Sequence, residues 1–477
     1  MPARPLKQIH LAAQFPSVQH TVVWSDPAAG SQIDFDSFAR LARTAERGRF
    51  DFLFLSEGLR LREHKGRVHD LDVAGRPESL TVLSALSAVT THLGLAATVN
   101  STFNEPYEVA RRLATLDHLS GGRAAWNVVT SHDAFTGENF RRGGFLDEAD
   151  RYSRAAEFLH TARELWDSWR PGDFRADAAS GEFARAGAGR FAHRGRHFDI
   201  SGRFSTPPGP QGHPVVVQAG DSAEGREFAA ADADVVFSRH ADLAGGRAAY
   251  RDVKARLAKY GRSPADLKII PSVSYVLGDT PADAAERARG LTLAQVSPQT
   301  ALMLAEAAWG RDLSGHDPDG PLPEVDPVPE GVVTRGHTLY RSRGREETVR
   351  HWRQVARERG LSTRGVVAEL TARPTFVGTP RQVADAMNEF VQSDAADGFV
   401  FSPHTVPGGL DELVDRVVPL LQEMGVHRAD YTGTTLRDHL GLRPARTAHP
   451  GQQPARTAHP APQPPRTAHH HSPEETP

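Results

Sequence analysis

The sequence predicts an α/β fold, a (β/α)8 TIM barrel carrying insertions and a disordered C-terminal tail. Three observations lead there. Short β-branched runs alternate with longer amphipathic ones, the mark of βα units and a parallel sheet. Roughly eight strand–helix units can be traced, which favours a closed barrel over an open doubly wound sheet, although closure itself is not written in the sequence. The run FDFLFLS at 50–56 is almost unbroken apolar, as a strand buried on both faces requires.

In chain order, Leu6–Ala13 is expected as the first strand, Phe35–Arg47 as the following helix and Phe50–Ser56 as the second strand. Pro77–Thr91 reads as a helix with its proline in the first turn, Leu93–Val99 as a strand and Tyr107–Leu119 as a helix. Gly121 and Gly122 turn the chain into a strand at Ala124–Thr130, and Asp147–Trp169 is a long helix. The rhythm breaks over 170–213, rich in Gly, Arg, Ala and Pro, which predicts an insertion with a small hairpin around His193–Ile200. It resumes with strands at Pro214–Ala219, Asp234–Ser238 and Leu267–Leu277, separated by helices at Ala223–Ala233 and Leu243–Tyr260. A second insertion is expected near 300–345, most irregular from about 310. Helices at Arg345–Arg359, Pro380–Gln392 and Leu410–Met424, with a strand at Gly398–Ser402, complete a domain over 1–443. Beyond it PARTAHP at 444–450 recurs at 454–460 and, imperfectly, at 464–470. Such copies have no apolar face with which to build a core, so 444–477 is expected to be a low-complexity, disordered tail.

The 477 residues are 39% hydrophobic and 24% charged, ordinary for a globular chain. A net charge of −3 gives no field that would favour nucleic acid or an anionic membrane. With no cysteine, disulfides, thiolate metal sites and a Cys nucleophile are excluded. The N-terminal MPARPLKQIHLAAQFPS lacks the apolar core of a signal peptide, and the stretch 80–99 is broken by Thr90, Thr91, His92 and Gly94. A soluble, cytoplasmic protein is the expectation.

No GxxxxGK[ST] loop, HExxH helix or GxSxG elbow occurs, and Gly187-Ala-Gly189 lacks a dinucleotide fingerprint's third glycine. The chemistry is therefore expected to come from a cofactor. In a barrel, functional residues gather at the carboxyl ends of strands. Those positions hold Ser56 and Glu57; Thr98 and Asn100; Asn127, Thr130, Ser131 and His132; and Gln218 to Ser222. Gly220-Asp-Ser222 precedes a helix, so it can serve as an anion-binding turn for a phosphate or as a simple N-cap.

Several segments, in order, resemble the nitrilotriacetate, dibenzothiophene-sulfone and long-chain-alkane monooxygenases of the bacterial luciferase-like type. The longest is LDHLSGGRAAWNVVTS at 116–131. AERGRFD (45–51), NEPY (104–107), Arg151-Tyr152 with LWDSW (165–169), VQAG (217–220), FVGTP (376–380), ADGF (396–399) and YTGTTLR (431–437) accompany it. Together they cover residue 6 to about 442.

The resemblance implies a luciferase-like barrel that binds FMN non-covalently and receives it reduced, as FMNH2, from a separate NAD(P)H:flavin reductase. Reaction with O2 through a flavin C4a-(hydro)peroxide would then oxygenate a small organic substrate. By matching positions, Glu57 stands at the flavin pocket wall, where the family usually has Asp. Thr98 matches a flavin contact, Tyr152 and Ser222 match phosphate-side contacts, and Asn127 lies beside the pocket. Glu148 occupies a phosphate-side position where the family often has His, and a carboxylate there would repel phosphate. His132 matches a residue lining the reacting side and is the candidate for handling a proton or orienting substrate.

Three of these have a plainer reading: Tyr152 as core, Asn127 as a turn former, His132 as a loop residue. The basic loop 60–70, with Arg60, Arg62, His64, Lys65, Arg67 and His69, is either a receptor for an anionic substrate or a solvated surface. Two rival functions remain open, a reductase using deazaflavin F420 on the same barrel and a non-catalytic ligand-binding barrel. The resemblance also implies a homodimer or higher homo-oligomer.

Overall fold

The computed structural model describes residues 5–17, 22–61, 63–64, 66–68, 75–131, 139–140, 148–240, 242–328, 344–371 and 375–445. His132, the repeat tail from residue 446 onward, and Arg62, Lys65 and His69 of the basic loop lie outside the described residues.

A curled, all-parallel sheet organises the chain. Its strands are β1 (His10–Phe15), β2 (Phe52–Leu55), β3 (Gly94–Asn100), β4 (Ala124–Val129), β5 (Val215–Gln218), β6 (Val235–Val236), β7 (Lys268–Ile269), β8 (Ser272–Val273) and β9 (Gly398–Phe401). They lie in the order β7-β6-β5-β4-β3-β2-β1-β9-β8. The two ends of this sheet are neighbours in sequence, separated only by Ile270 and Pro271. The single strand expected over Leu267–Leu277 is thus divided. Its first part pairs with β6, its second with β9, and Tyr275–Leu277 pairs separately with Phe376–Gly378. Pro271 explains the change of partner, because it has no N–H to give a ladder. Its carbonyl still accepts from Val400 N at 2.9 Å.

Strict alternation along the strands builds two cores. Ala12, Phe52, Phe54, Ala96, Ala125, Val215, Val217, Val235, Phe237, Ile270 and Val400 face the concave interior. Residues of the opposite parity, such as Leu53, Leu95, Trp126 and Phe399, pack outward against the helices. Trp126 is therefore a packing residue. Its indole Nε1 donates to Val99 O at 2.9 Å, and its ring lies 5.7 Å from that of Phe158.

The helices that cover the sheet are α1 (Phe35–Arg47), α2 (Ser79–Ser87), α3 (Pro106–Ser120), α4 (Glu148–Asp167), α5 (Ala223–Asp232) and α6 (Leu243–Arg256). The α2 helix begins later than its sequence suggests, because Glu78 rather than Pro77 caps it, accepting from Leu80 N and Thr81 N. At the amino end of the sheet the short α7 (Leu436–His439) inserts Leu436, and Leu440 follows, into the interior core. Asp51, fully buried at the start of β2, ties this end together. It accepts from Leu11 N (3.0 Å), His10 Nδ1 (3.2 Å) and Arg428 Nη2 (2.6 Å), and Arg428 also donates to His439 O.

The insertion over 170–213 holds the expected hairpin, Arg190–Arg194 against Asp199–Arg203, and a second one, Phe174–Asp177 against Glu182–Ala184. Helices at Pro281–Ala294, Pro298–Trp309 and Thr363–Thr371 were not anticipated. Two of them start with Thr280-Pro281 or Ser297-Pro298, a capping side chain followed by proline in the first turn. Among the described residues no helix is long and apolar enough to cross a membrane.

Candidate functional site

Parallel strands present their carboxyl ends on one side of the sheet, and alternation decides which side chains there face the interior. On β3 these are Ala96, Thr98 and Asn100; on β4, Ala125, Asn127 and Val129. Register sets Thr98 beside Asn127 and Asn100 beside Val129. Asn127 Nδ2 donates to Thr98 Oγ1 at 3.0 Å. That bond leaves the other end of the amide, Asn127 Oδ1, buried with no hydrogen-bond partner. A buried, unpaired acceptor costs about 1–3 kcal/mol unless something arrives to satisfy it.

Glu57, just after β2, is held by Asn100, whose Nδ2 donates to both carboxylate oxygens at 3.0 and 3.1 Å. Burial raises this carboxyl to about 7, against the Asn100 bonds that favour its charged form and with the Glu78 carboxylate adding repulsion. Asn100 is itself fixed, since its Oδ1 accepts from Phe103 N at 2.7 Å. Thr98, Asn127 and the Glu57–Asn100 pair thus form one polar rim. Phe54 and Phe237 pack edge to face beneath it at 4.9 Å.

The second cluster lies one strand away. Val217 on β5 is in register with Asn127, and adjacent strands are ~4.8 Å apart. After β5 the chain turns through Gly220 to Ser222, which caps α5 by accepting from Gly225 N at 3.1 Å. Tyr152, on α4, brings its hydroxyl within 3.4 Å of Ser222 Oγ, and the Arg151 guanidinium lies 5.0 Å from the Tyr152 ring centroid. Glycine is required here by close approach. A Cβ on Gly225 would sit 2.9 Å from the carbonyl carbon and oxygen of Gly220, and one on Gly220 would meet Tyr152 Oη at 2.9 Å and the Gln218 amide. Gln218 Oε1 is a second buried acceptor with no partner.

The structure therefore gathers Glu57, Thr98 and Asn127 at one patch and Tyr152 and Ser222 at a neighbouring one. Glu148 opens α4, but its side chain lies outside the described residues. Two contributors were not singled out from sequence. Gln14 spans β1 and its neighbours, donating to Ser56 Oγ (3.3 Å) and accepting from Ser402 Oγ (2.7 Å). A polar residue following the apolar run Leu11–Ala13 was its available signal. Arg76 donates to Ser17 Oγ (2.8 Å) and Glu57 O (3.3 Å) from a loop with no periodicity to mark it.

With this geometry in hand, comparison with known proteins decides the family. The model described as luciferase-like monooxygenase matches residues 15–397. The chain belongs to the luciferase-like monooxygenase family. Nitrilotriacetate monooxygenase component A of Aminobacter aminovorans is 39% identical over 453 residues, covering 91% of this chain and 97% of the relative. Dibenzothiophene-sulfone monooxygenase of Rhodococcus erythropolis (strain XP) is 38% identical, covering 92% and 97%. Among solved structures, riboflavin lyase (RcaE) with modified FMN and riboflavin superposes with a TM-score of 0.75 at 30% identity, covering 93% of this chain and 99% of that one.

Proposed function

We propose that this chain is the oxygenase component of a two-component, FMNH2-dependent monooxygenase acting on a small organic substrate, built on a closed (β/α)8 barrel. The observation that carries the reading is the pair of adjacent clusters, one with an orphaned acceptor facing the interior and one with a glycine-lined turn at a helix N-terminus. A flavin mononucleotide fits both. Its ring edge carries an N–H that Asn127 Oδ1 lacks as a partner. Its phosphate suits the hydroxyls of Ser222 and Tyr152 and the first-turn amides of α5, in the space that a Cβ at 220 or 225 would fill.

Reduced FMN, when bound, supplies the electrons that activate O2. Thr98 and Asn127 orient the ring edge, Ser222 and Tyr152 hold the phosphate, and Phe54 and Phe237 keep water from below. His132 remains the proposed proton-handling group and Glu148 a proposed phosphate-side neighbour. The relative's designation as component A supports a separate reductase as partner. The proposal extends to a cytoplasmic homo-oligomer with one domain over 1–443 and a tail over 444–477. Deazaflavin F420 is not favoured, because the relatives that span nine-tenths of the chain are named monooxygenases.

Anaerobic titration with FMNH2, FMN and reduced F420, followed by O2 consumption with a flavin reductase, tests this. Binding of FMNH2 and FMNH2-dependent O2 uptake are expected. Binding of reduced F420 in preference to FMNH2 would overturn it.

A further inference from the structure

The Glu57 carboxyl is partly buried at the end of β2, and among the described residues a single side chain donates to it. Both oxygens share one amide nitrogen, Asn100 Nδ2. Among the described residues no Lys, Arg or His side chain pairs with it. The Arg76 guanidinium is close, yet it donates to the Glu57 backbone oxygen and to Ser17. Among the described residues the other charge facing Glu57 is the Glu78 carboxylate at the start of α2, which is bound to Leu80 N, Thr81 N and Thr81 Oγ1. A partly buried carboxylate with no cation beside it among the described residues is costly to ionise, and the cheapest relief is a proton. Consistent with that geometry, burial places the titration of Glu57 at about 7.

We infer that Glu57 takes up a proton when anionic reduced FMN enters the site, so that the protein discriminates between reduced and oxidised FMN in a pH-dependent way. The inference rests on the flavin reading above. A second negative charge beside an ionised carboxylate raises the carboxyl's proton affinity further. Linkage then requires the complex to bind more protons than the free protein, and affinity for the reduced form falls as pH rises above about 7. Below that pH Glu57 is already neutral and no uptake occurs. Oxidised FMN has a neutral ring and leaves the carboxyl where it was.

The test is anaerobic calorimetry of the full chain with reduced and with oxidised FMN, in buffers of different ionisation enthalpy, from about pH 6 to about pH 9. Wild type, Glu57→Gln and Glu57→Asp are compared. For wild type near pH 8 we expect up to about one more proton taken up with reduced than with oxidised FMN. The Kd for the reduced form should rise by up to about tenfold per pH unit. Glu57→Gln, neutral at every pH, should lose both effects, and Glu57→Asp should keep them. The flavin's own titration is common to all three proteins and cancels in the comparison. Equal proton counts for the two flavins in wild type would overturn the inference whether or not Glu57→Gln folds, and so would an undiminished pH slope in Glu57→Gln. If neither flavin binds any of the three proteins, the flavin reading falls and this inference falls with it.

Discussion

Gly225→Ala isolates the packing of the turn against α5. The added Cβ would lie 2.9 Å from the Gly220 carbonyl carbon and oxygen, where ordinary contact begins at 3.4 Å. The obstacle is backbone, so the turn carrying Gly220 and Asp221 must move by about 0.5 Å, the difference of those two distances. A shift of that size stretches a hydrogen bond of about 3.0 Å past the useful limit. One charge-assisted bond to an anion is worth roughly 1.5–3 kcal/mol, so FMN affinity should fall roughly 10- to 100-fold. Fold stability should change little, because alanine gains about 1 kcal/mol of helix propensity against about 1–3 kcal/mol of overpacking. Fluorescence titration with FMN and with riboflavin, which lacks the phosphate, reads this directly. The loss should be confined to FMN. Unchanged FMN affinity, or an equal loss for riboflavin, would refute the assignment of this turn to the phosphate.

Four further outcomes follow, three of them from the packing at the amino end of the sheet. Arg428→Met strips the strongest partner from fully buried Asp51 and should cost about 3–5 kcal/mol in urea unfolding, with Asp51→Asn in the same chain recovering more than half. Failure of that rescue would show that Arg428 acts through packing alone. Leu436→Ala empties part of the interior core beneath the site and should cost about 2–5 kcal/mol, whereas a loss under 1 kcal/mol would mean α7 is not a plug. Burial alone would raise the Asp51 carboxyl, but Arg428 and His10 outweigh it and hold it below the usual carboxylate range. Asp266 is also opposed by burial, yet its bonds to Arg443 and Ser263 bring it to about 2. Lowered carboxyls stabilise the fold above their unfolded value near 4, so stability should fall as pH drops from about 4 toward 2. Glu57, raised, has the opposite sign: its contribution is present below about 4.3 and is lost as pH rises through about 7. Urea midpoints measured across pH, in wild type and in Glu57→Gln, separate the two slopes.

Much of the sheet was legible because alternating helix and strand periods are local. FLFL at 52–55 was expected as a strand buried on both faces and is one, and AAWNVV at 124–129 was expected as a strand and forms one. The division of the run 267–277 was not legible. Pro271 announces a lost donor, but only its surroundings decide that β7 meets β6 while β8 meets β9. The sequence also placed Thr98, Asn127, Tyr152 and Ser222 at strand ends or helix starts, since those positions follow from chain order. What it could not say is which of them touch. Register brings Thr98 to Asn127, and the seating of α4 over the β5 turn brings Tyr152 to Ser222, across 70 residues of chain. Nor could chain order show that Glu57, read as a pocket-wall residue, would be partly buried with, among the described residues, Asn100 alone donating to it. Solvent exclusion and the charges beside a group are properties of everything packed around it. They exist only once distant segments have met.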